Sequence, residues 1–229
     1  MTASDNRRQK KIEAQRAKRK DKQRAEARIE SSGLMARISA ASHWPISGTD
    51  ISKGFSETGI ASVSITRRGP NDQVAAAVFL VDSYCLGVKD IILFIGSEQS
   101  WKTRMARRNK SDVGIESISP EAARKLVEGA IAYARSIGFA PHRDWMHASP
   151  IFGDIDASKC TMQFTFGLDG KPCFVSGPND SPERIRTIMN RLSAHLDPSQ
   201  FHFIIAAQNG GDDLESGAPE SMGSGRRSE

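Results

Sequence analysis

Residues 74–95 of the chain read VAAAVFLVDSYCLGVKDIILFI. Residues 74–81 and 91–95 are two continuous apolar runs, which is typical of strands that are covered on both faces. The more polar residues between them, 83–89, form a predicted loop. We therefore expect these two strands to form the centre of a sheet.

The flanking sequence predicts a further strand and two helices. Residues 61–66 alternate apolar and polar side chains, as in a strand with one solvent-exposed face, and residues 69–72 have the composition of a turn. Residues 119–121 and 181–183 both read Ser-Pro-Glu. Serine caps free N–H groups, proline suits the first helical position and glutamate complements the helix dipole, so each tripeptide begins a helix.

A hairpin is predicted between the two helices. Met162, Phe164 and Phe166 alternate with polar residues, residues 169–170 favour a tight turn, and residues 173–175 supply the return strand. Residues 203–207 form either a last strand or part of a third helix. Together these elements predict an α+β fold with a single mixed or antiparallel sheet and two or three packed helices.

Positive charge is concentrated near the N-terminus. Residues 1–30 contain eleven Lys or Arg and five Asp or Glu, a net charge of +6, while the whole chain carries +5. The segment is rich in helix formers but has no apolar stripe to pack on a core. We expect a basic arm over residues 1–30, helical or disordered, and a globular domain over 31–207. Residues 208–229, an acidic tail rich in Gly and Ser, are predicted to be disordered.

This charge distribution favours a nucleic-acid- or ribosome-associated binding module. Clustered cations release counterions from phosphates, which gives salt-dependent binding to RNA or DNA. A second basic segment, residues 101–110, adds an aromatic side chain, Trp101, that can stack on a base. A solvated charged tail is the alternative interpretation. The predicted contacts are Arg7, Arg8, Lys10, Lys11, Arg16, Lys18, Arg19, Lys20, Lys22, Arg24, Arg107 and Arg108.

Polar residues near the apolar runs suggest a second function, a hydrolase-type enzyme. Asp82 ends the first run and Asp90 precedes the second, with Cys85 between them. His142 and Asp144, two residues apart, point the same way in an extended chain. An Asp can orient a His as a base or as a metal ligand, and carboxylates suit a hard metal. The alternative roles are structural: backbone capping by the aspartates and a buried cysteine. The candidate catalytic residues are Asp82, Asp90, His142 and Asp144, with Cys85 as a second-choice nucleophile.

No motif identifies a cofactor or a metal. Cys85, Cys160 and Cys173 lack the paired spacing of a zinc site, and neither a P-loop nor a dinucleotide-binding glycine motif occurs. No run of about 18 apolar residues and no secretory signal is present, and an odd number of cysteines fits reduced thiols. We expect a cytoplasmic protein, and a protein-interaction module without chemistry is a third possibility.

Three blocks of the sequence resemble an uncharacterised bacterial protein family. Residues 78–82 and 85–90, VFLVD and CLGVKD, form the first block. The second block contains Gly138-Phe139, Pro141-His142 and Asp144, and the third lies within residues 166–178. The resemblance extends over about residues 60–190. It implies a shared fold and a bacterial origin, and it transfers no catalytic role.

Overall fold

The structure, a computed structural model, describes residues 33–108, 114–177 and 180–205, together with Arg16, Arg19 and Lys20. The strands are β1 (Ile46–Ser52), β2 (Ile60–Arg68), β3 (Gln73–Asp82), β4 (Gly87–Ser97), β5 (Ile115–Ser117), β6 (Cys173–Val175) and β7 (His202–Ile204). The α-helices are α1 (residues 33–40), α2 (Phe55–Thr58), α3 (Glu98–Arg108), α4 (Pro120–Ser136), α5 (Trp145–Ala148) and α6 (Pro182–His195). Short 3₁₀ helices cover Ala41–His43, Ser149–Phe152, Ala157–Lys159 and Pro198–Gln200.

The main sheet has five strands in the order β4-β3-β2-β1-β5, and every neighbouring pair is antiparallel. A separate two-stranded sheet pairs β6 and β7 in parallel. The predicted α+β fold is therefore confirmed. The expectation that both apolar strands are central is wrong for β4, which lies at the edge of the sheet. Among the described elements, β4 has a neighbouring strand on one side only, but the helices α3, α4 and α5 pack against it and cover its apolar side chains.

The connection between β2 and β3 is a tight hairpin turn. Asn71 and Asp72 both have φ of 53°, and the N–H of Gln73 donates to the carbonyl of Pro70 at 3.1 Å. Left-handed conformation at both central residues matches the twist of the paired strands. The predicted turn is thus confirmed.

One face of β2 is less exposed than its alternating pattern predicts. Ser64 and Thr66 are only 6% and 9% exposed. β2 is the middle strand of five, so neighbours on both sides enclose these small side chains. The hydroxyl of Ser64 lies 3.4 Å from a carboxylate oxygen of Asp50 on β1.

A buried arginine joins β2 to two loops. Arg67 is 2% exposed, and its guanidinium donates to the carbonyls of Trp44 at 2.6 Å, Ile151 at 2.7 Å and Phe152 at 2.8 Å. Nη2 of Arg67 also lies 3.6 Å from Oδ1 of the exposed Asp154. The five donors of a guanidinium suit such a cluster of carbonyls.

Two hydrophobic clusters meet on α4. In the main cluster, Phe79 of β3 stacks on Phe152 with ring centroids 5.4 Å apart, and the first three turns of α4 pack over the sheet. The second cluster lies at the end of α4, where α6 packs. Its buried members are Cys85, Ala134, Ile137, Phe139, Phe174, Ile188, Leu192 and Phe201.

Both predicted helix starts are confirmed. The hydroxyl of Ser119 accepts from the N–H of Ala122 at 3.2 Å at the start of α4. The hydroxyl of Ser181 accepts from the N–H of Arg184 at 3.2 Å at the start of α6. In each helix a proline occupies the first turn, where its missing N–H costs nothing.

The predicted hairpin between the helices is wrong in its first strand. Residues 161–166 are not a strand, and one isolated bridge joins Leu168 to Lys171 across the turn. The ammonium group of Lys125 on α4 bonds the carbonyls of Cys160 at 2.9 Å and Met162 at 2.7 Å. The Lys125 side chain therefore bonds two carbonyl groups that would otherwise be free to pair with a neighbouring strand.

The return strand of that predicted hairpin exists but has a different partner. β6 pairs with β7, so residues 203–204 confirm the strand alternative for the C-terminal segment. Phe164 and Phe166 instead pack against the main cluster as partly buried side chains.

Several predictions fall on residues outside the described ranges. Arg16, Arg19 and Lys20 are helical and exposed. The rest of the arm over residues 1–30 and the tail over 208–229 lie outside the described residues, and so do Arg7, Arg8, Lys10, Lys11, Lys18, Lys22 and Arg24. No helix in the described part of the chain has the length and apolarity to cross a membrane.

Candidate functional site

Asp82 lies inside the turn between β3 and β4. It is 2% exposed, and its carboxylate accepts from the N–H groups of Tyr84 at 3.0 Å and Cys85 at 2.9 Å. Burial raises the pKa of Asp82, while the positive charge of Lys89 and the backbone N–H groups oppose that rise. This environment matches the structural alternative, in which the carboxylate caps the turn.

Cys85 follows Asp82 in the same turn and is fully buried. Burial is the largest cause that raises the pKa of its thiol, and the neighbouring Asp82 and Cys173 add to it. A nucleophilic cysteine needs a lowered pKa and access to substrate. The surroundings of Cys85 therefore favour a structural cysteine over the predicted nucleophile. All three cysteines of the chain are described, and each is buried and free.

His142 and Asp144 lie close together in a turn rather than in the extended chain that their spacing assumes. The N–H of Asp144 donates to Nδ1 of His142 at 3.2 Å, and a carboxylate oxygen of Asp144 lies 3.8 Å from the same nitrogen. Asp90 is exposed on β4 opposite Leu80, and its carboxylate accepts from the N–H of Ile91 at 2.9 Å. Within the described ranges, no group of three or more His, Cys, Asp or Glu side chains is placed to hold a metal ion.

His142 lines a pocket of about 270 Å³ between three segments of the chain. The start of β4 with its preceding turn forms one wall, the connection from α4 to α5 forms the second, and α6 forms the third. We call this the Lys89 pocket. Among the described residues that line it, none carries a carboxylate, and Asp82 and Asp90 are not among them. The lining residues are Leu86, Val88, Lys89, Phe139, Ala140, His142, Arg184, Thr187, Ile188 and Arg191.

The cations of the Lys89 pocket are held by their neighbours. The guanidinium carbon of Arg191 lies 6.0 Å from the ring centroid of Phe139, within the range of a cation–π contact. Nε of Arg184 lies 3.0 Å from the carboxylate of Asp180, which is 8% exposed and also accepts from the N–H of Gly177 at 2.8 Å. These contacts orient both guanidinium groups at the edge of the pocket.

The pocket residues on α6 were missed in the sequence, although a signal for them exists. Arg184, Thr187, Ile188 and Arg191 are spaced i, i+3, i+4 and i+7, so they share one face of a helix. The apolar positions alone predict the helix, and Arg184 and Arg191 border that stripe. That this face meets Lys89 and His142 depends on the tertiary structure.

A second cation-lined pocket lies beside α3, within the other predicted basic segment. Arg104 and Arg107 line it together with Phe94 of β4, and its volume is about 530 Å³. We call this the α3 pocket. Its remaining lining residues are Gln99, Ser100 and Thr103, so the described lining again contains no carboxylate.

Trp101 is a partly buried side chain at the start of this basic segment. Its ring packs against that of Phe94 with centroids 5.2 Å apart. Lys102 is paired with Glu98 at 3.0 Å, while Arg107 is exposed and Arg108 ends the helix. Arg104 and Arg107 of this segment are therefore exposed and line the α3 pocket.

Comparison with known proteins gives no match: no protein-family model, no curated protein and no solved structure is similar to this chain. The resemblance to an uncharacterised bacterial family therefore stays a prediction.

Proposed function

We propose that this protein is a nucleic-acid-associated binding module that holds phosphate groups in its two cation-lined pockets. The observation that carries the proposal is the Lys89 pocket, where Lys89, Arg184 and Arg191 converge with His142 and no described lining residue is acidic. Arginine and lysine side chains are the usual partners of phosphate oxygens. A pocket that collects them without carboxylates suits an anionic ligand.

The α3 pocket supports the same function because both pockets adjoin β4. Lys89 of one pocket and Phe94 of the other belong to the same strand. Contacts of this kind address the phosphate backbone, so they position a nucleic acid without reading its sequence.

The basic arm over residues 1–30 adds to this proposal through its charge alone. Its net +6 would increase affinity and salt dependence for RNA, DNA or the ribosome. The predicted cytoplasmic location belongs to the same proposal.

The test is a salt series of fluorescence anisotropy with a short labelled single-stranded RNA and a DNA of the same sequence. We expect the double variant Lys89→Gln, Arg191→Gln to bind more weakly, with the slope of log affinity against log salt reduced by about 0.7 for each lost phosphate contact. Arg186→Gln is the matched control, because Arg186 is an exposed cation of α6 outside the pocket.

Two outcomes would count against the proposal. If the wild-type chain binds neither nucleic acid at low salt, the protein is not a polyanion-binding module. If the change in log affinity of the double variant is no more than twice that of Arg186→Gln, as two lost charges against one would give, net charge acts and the pocket does not. Deletion of residues 1–30 in parallel separates the contribution of the arm.

A further inference from the structure

We propose that the Lys89 pocket binds the terminal phosphomonoester of a nucleotide in preference to an internal phosphodiester. The ligand is either the phosphorylated end of a nucleic acid or a free nucleoside monophosphate, and the first source rests on the proposed function. Three features of the pocket support this: its charge, its size and its apolar wall.

Charge is the first feature. A phosphomonoester carries about −1.5 to −2 at neutral pH, whereas each internal diester carries a single negative charge. Lys89, Arg184 and Arg191 bring three positive charges to one small cavity. Asp180 pairs with Arg184, and the buried Asp82 interacts with Lys89, both from outside the lining, so the three cations exceed these two carboxylates by one charge.

Size is the second feature. Ligand pockets usually measure about 300–1,000 Å³, and this pocket has about 270 Å³. A pocket of this volume has room for one phosphate group and part of the nucleoside attached to it. The α3 pocket, with about 530 Å³ and two arginines, is better suited to a continuing backbone.

The apolar wall is the third feature. Leu86, Val88 and Ile188 line the pocket beside the cations, so part of the ligand meets hydrocarbon. The guanidinium of Arg191 lies over the ring of Phe139, and its planar donor pair can bind two phosphate oxygens or stack on a base. A nucleotide has a dianionic group for the cations and a ring system that can pack against the apolar wall. Inorganic phosphate has no such ring system.

The experiment compares three labelled RNAs of one sequence in the full chain: one with a 5′-phosphate, one with a 3′-phosphate and one with hydroxyls at both ends. We expect one phosphorylated form to bind about tenfold more tightly than the hydroxyl form, the change that one charge-assisted hydrogen bond produces. Calorimetric titration with adenosine monophosphate, with adenosine and with inorganic phosphate tests the free ligand. The nucleotide should bind more tightly than either control.

Variants then assign the preference to the pocket. Arg191→Gln should reduce the advantage of the phosphorylated end to about onefold, because it removes the fixed guanidinium, while Arg186→Gln should retain it. Arg191→Lys keeps the charge without the planar donor pair and should retain part of the advantage. Circular dichroism checks that each variant is folded. The comparison of the three RNAs is made with the wild-type chain, so it does not depend on the folding of any variant.

The outcomes separate this inference from the proposed function. Equal binding of all three RNAs, with no binding of adenosine monophosphate, overturns the inference and leaves the polyanion proposal standing. Binding of adenosine monophosphate without binding of any RNA supports the inference with a free nucleotide as ligand and overturns the polyanion proposal. Binding of neither overturns both, and nucleotide binding no tighter than inorganic phosphate overturns the inference.

Discussion

The backbone N–H of Cys85 donates a hydrogen bond to the carboxylate of Asp82 at 2.9 Å, inside the turn that leads from β3 into β4. This bond and the one from Tyr84 close the turn around a buried acceptor. The next residues, Leu86 and Val88, then enter the wall of the Lys89 pocket. Asp82 therefore positions the pocket without lining it.

Asp82→Asn is expected to stabilise the protein increasingly as the pH rises. Burial raises the pKa of Asp82 in the folded chain above its unfolded value of about 4, so wild-type stability falls as the pH rises from there through the raised pKa. The amide keeps an oxygen for the two N–H groups and carries no charge. Urea unfolding at pH 4 and pH 7 measures the difference between the two proteins. A stability advantage of the variant that shrinks with pH would contradict this.

Asp82→Ala is the companion variant. It leaves the N–H groups of Tyr84 and Cys85 without their acceptor, which should lower the free energy of unfolding by about 1–3 kcal/mol at pH 4. The loss should be smaller at pH 7, because the variant also lacks the buried charge that weakens the wild type there. Its contrast with Asp82→Asn separates the acceptor from the charge.

Arg67→Met is expected to lower the free energy of unfolding by about 3–5 kcal/mol. The methionine fills the space but leaves the carbonyls of Trp44, Ile151 and Phe152 without their donor. Arg68→Met is the matched control, because Arg68 is the next residue of β2 and its side chain is 49% exposed. Urea titration of both variants should show the loss in the first alone; equal losses would show that the buried donors contribute little.

Tyr133→Phe is expected to leave the free energy of unfolding within about 1 kcal/mol of wild type, or to raise it. The hydroxyl of Tyr133 is buried and has no hydrogen-bond partner among the described residues, and burial raises its pKa to about 12. Its ring, stacked on Phe166 at 5.8 Å, remains in the variant. Thermal and urea unfolding measure the change, and a loss well above 1 kcal/mol would reveal a partner for the hydroxyl.

Gly87→Ala and Gly170→Ala form a matched pair, since both glycines have left-handed φ, 71° and 78°. A methyl group at Gly87 would lie 2.9 Å from Cβ of Ala134 and 3.0 Å from the carbonyl oxygen of Ala130, whereas the space at Gly170 is open. Gly170→Ala should cost about 1–2 kcal/mol from backbone strain, and Gly87→Ala roughly 2–4 kcal/mol because crowding adds to it. If urea unfolding gives the same loss of free energy of unfolding for both variants, α4 shifts away from the new methyl group at residue 87 at no energetic cost.

Local signals in the sequence predicted much of the fold. The serine caps, the proline positions and the apolar spacing of α4 and α6 act within one helix, and the turn after β2 depends on a few adjacent residues. Such local physics can be read from sequence directly. Non-local choices could not be predicted in this way. The parallel pairing of β6 with β7 and the capture of the Cys160 and Met162 carbonyls by Lys125 depend on the packed fold.

The candidate site divides in the same manner. Of the residues that line the Lys89 pocket, His142 alone is a candidate from the sequence, where its spacing from Asp144 marks it. The sequence does not mark Arg184 and Arg191 as site residues, because the apolar pattern of α6 is the stronger signal. Their convergence with Lys89 depends on how α6 packs against the end of α4, which periodicity alone does not specify.

The participation of α4 in both hydrophobic clusters couples the two ends of the molecule. The first turns of α4 contribute to the main cluster against the sheet, and its last turn contributes to the second cluster under α6. Unfolding of α4 would therefore disrupt both clusters at once. Melting should then be a single cooperative transition for the described domain. By mass action, an occupant of the Lys89 pocket should shift the midpoint of that whole transition.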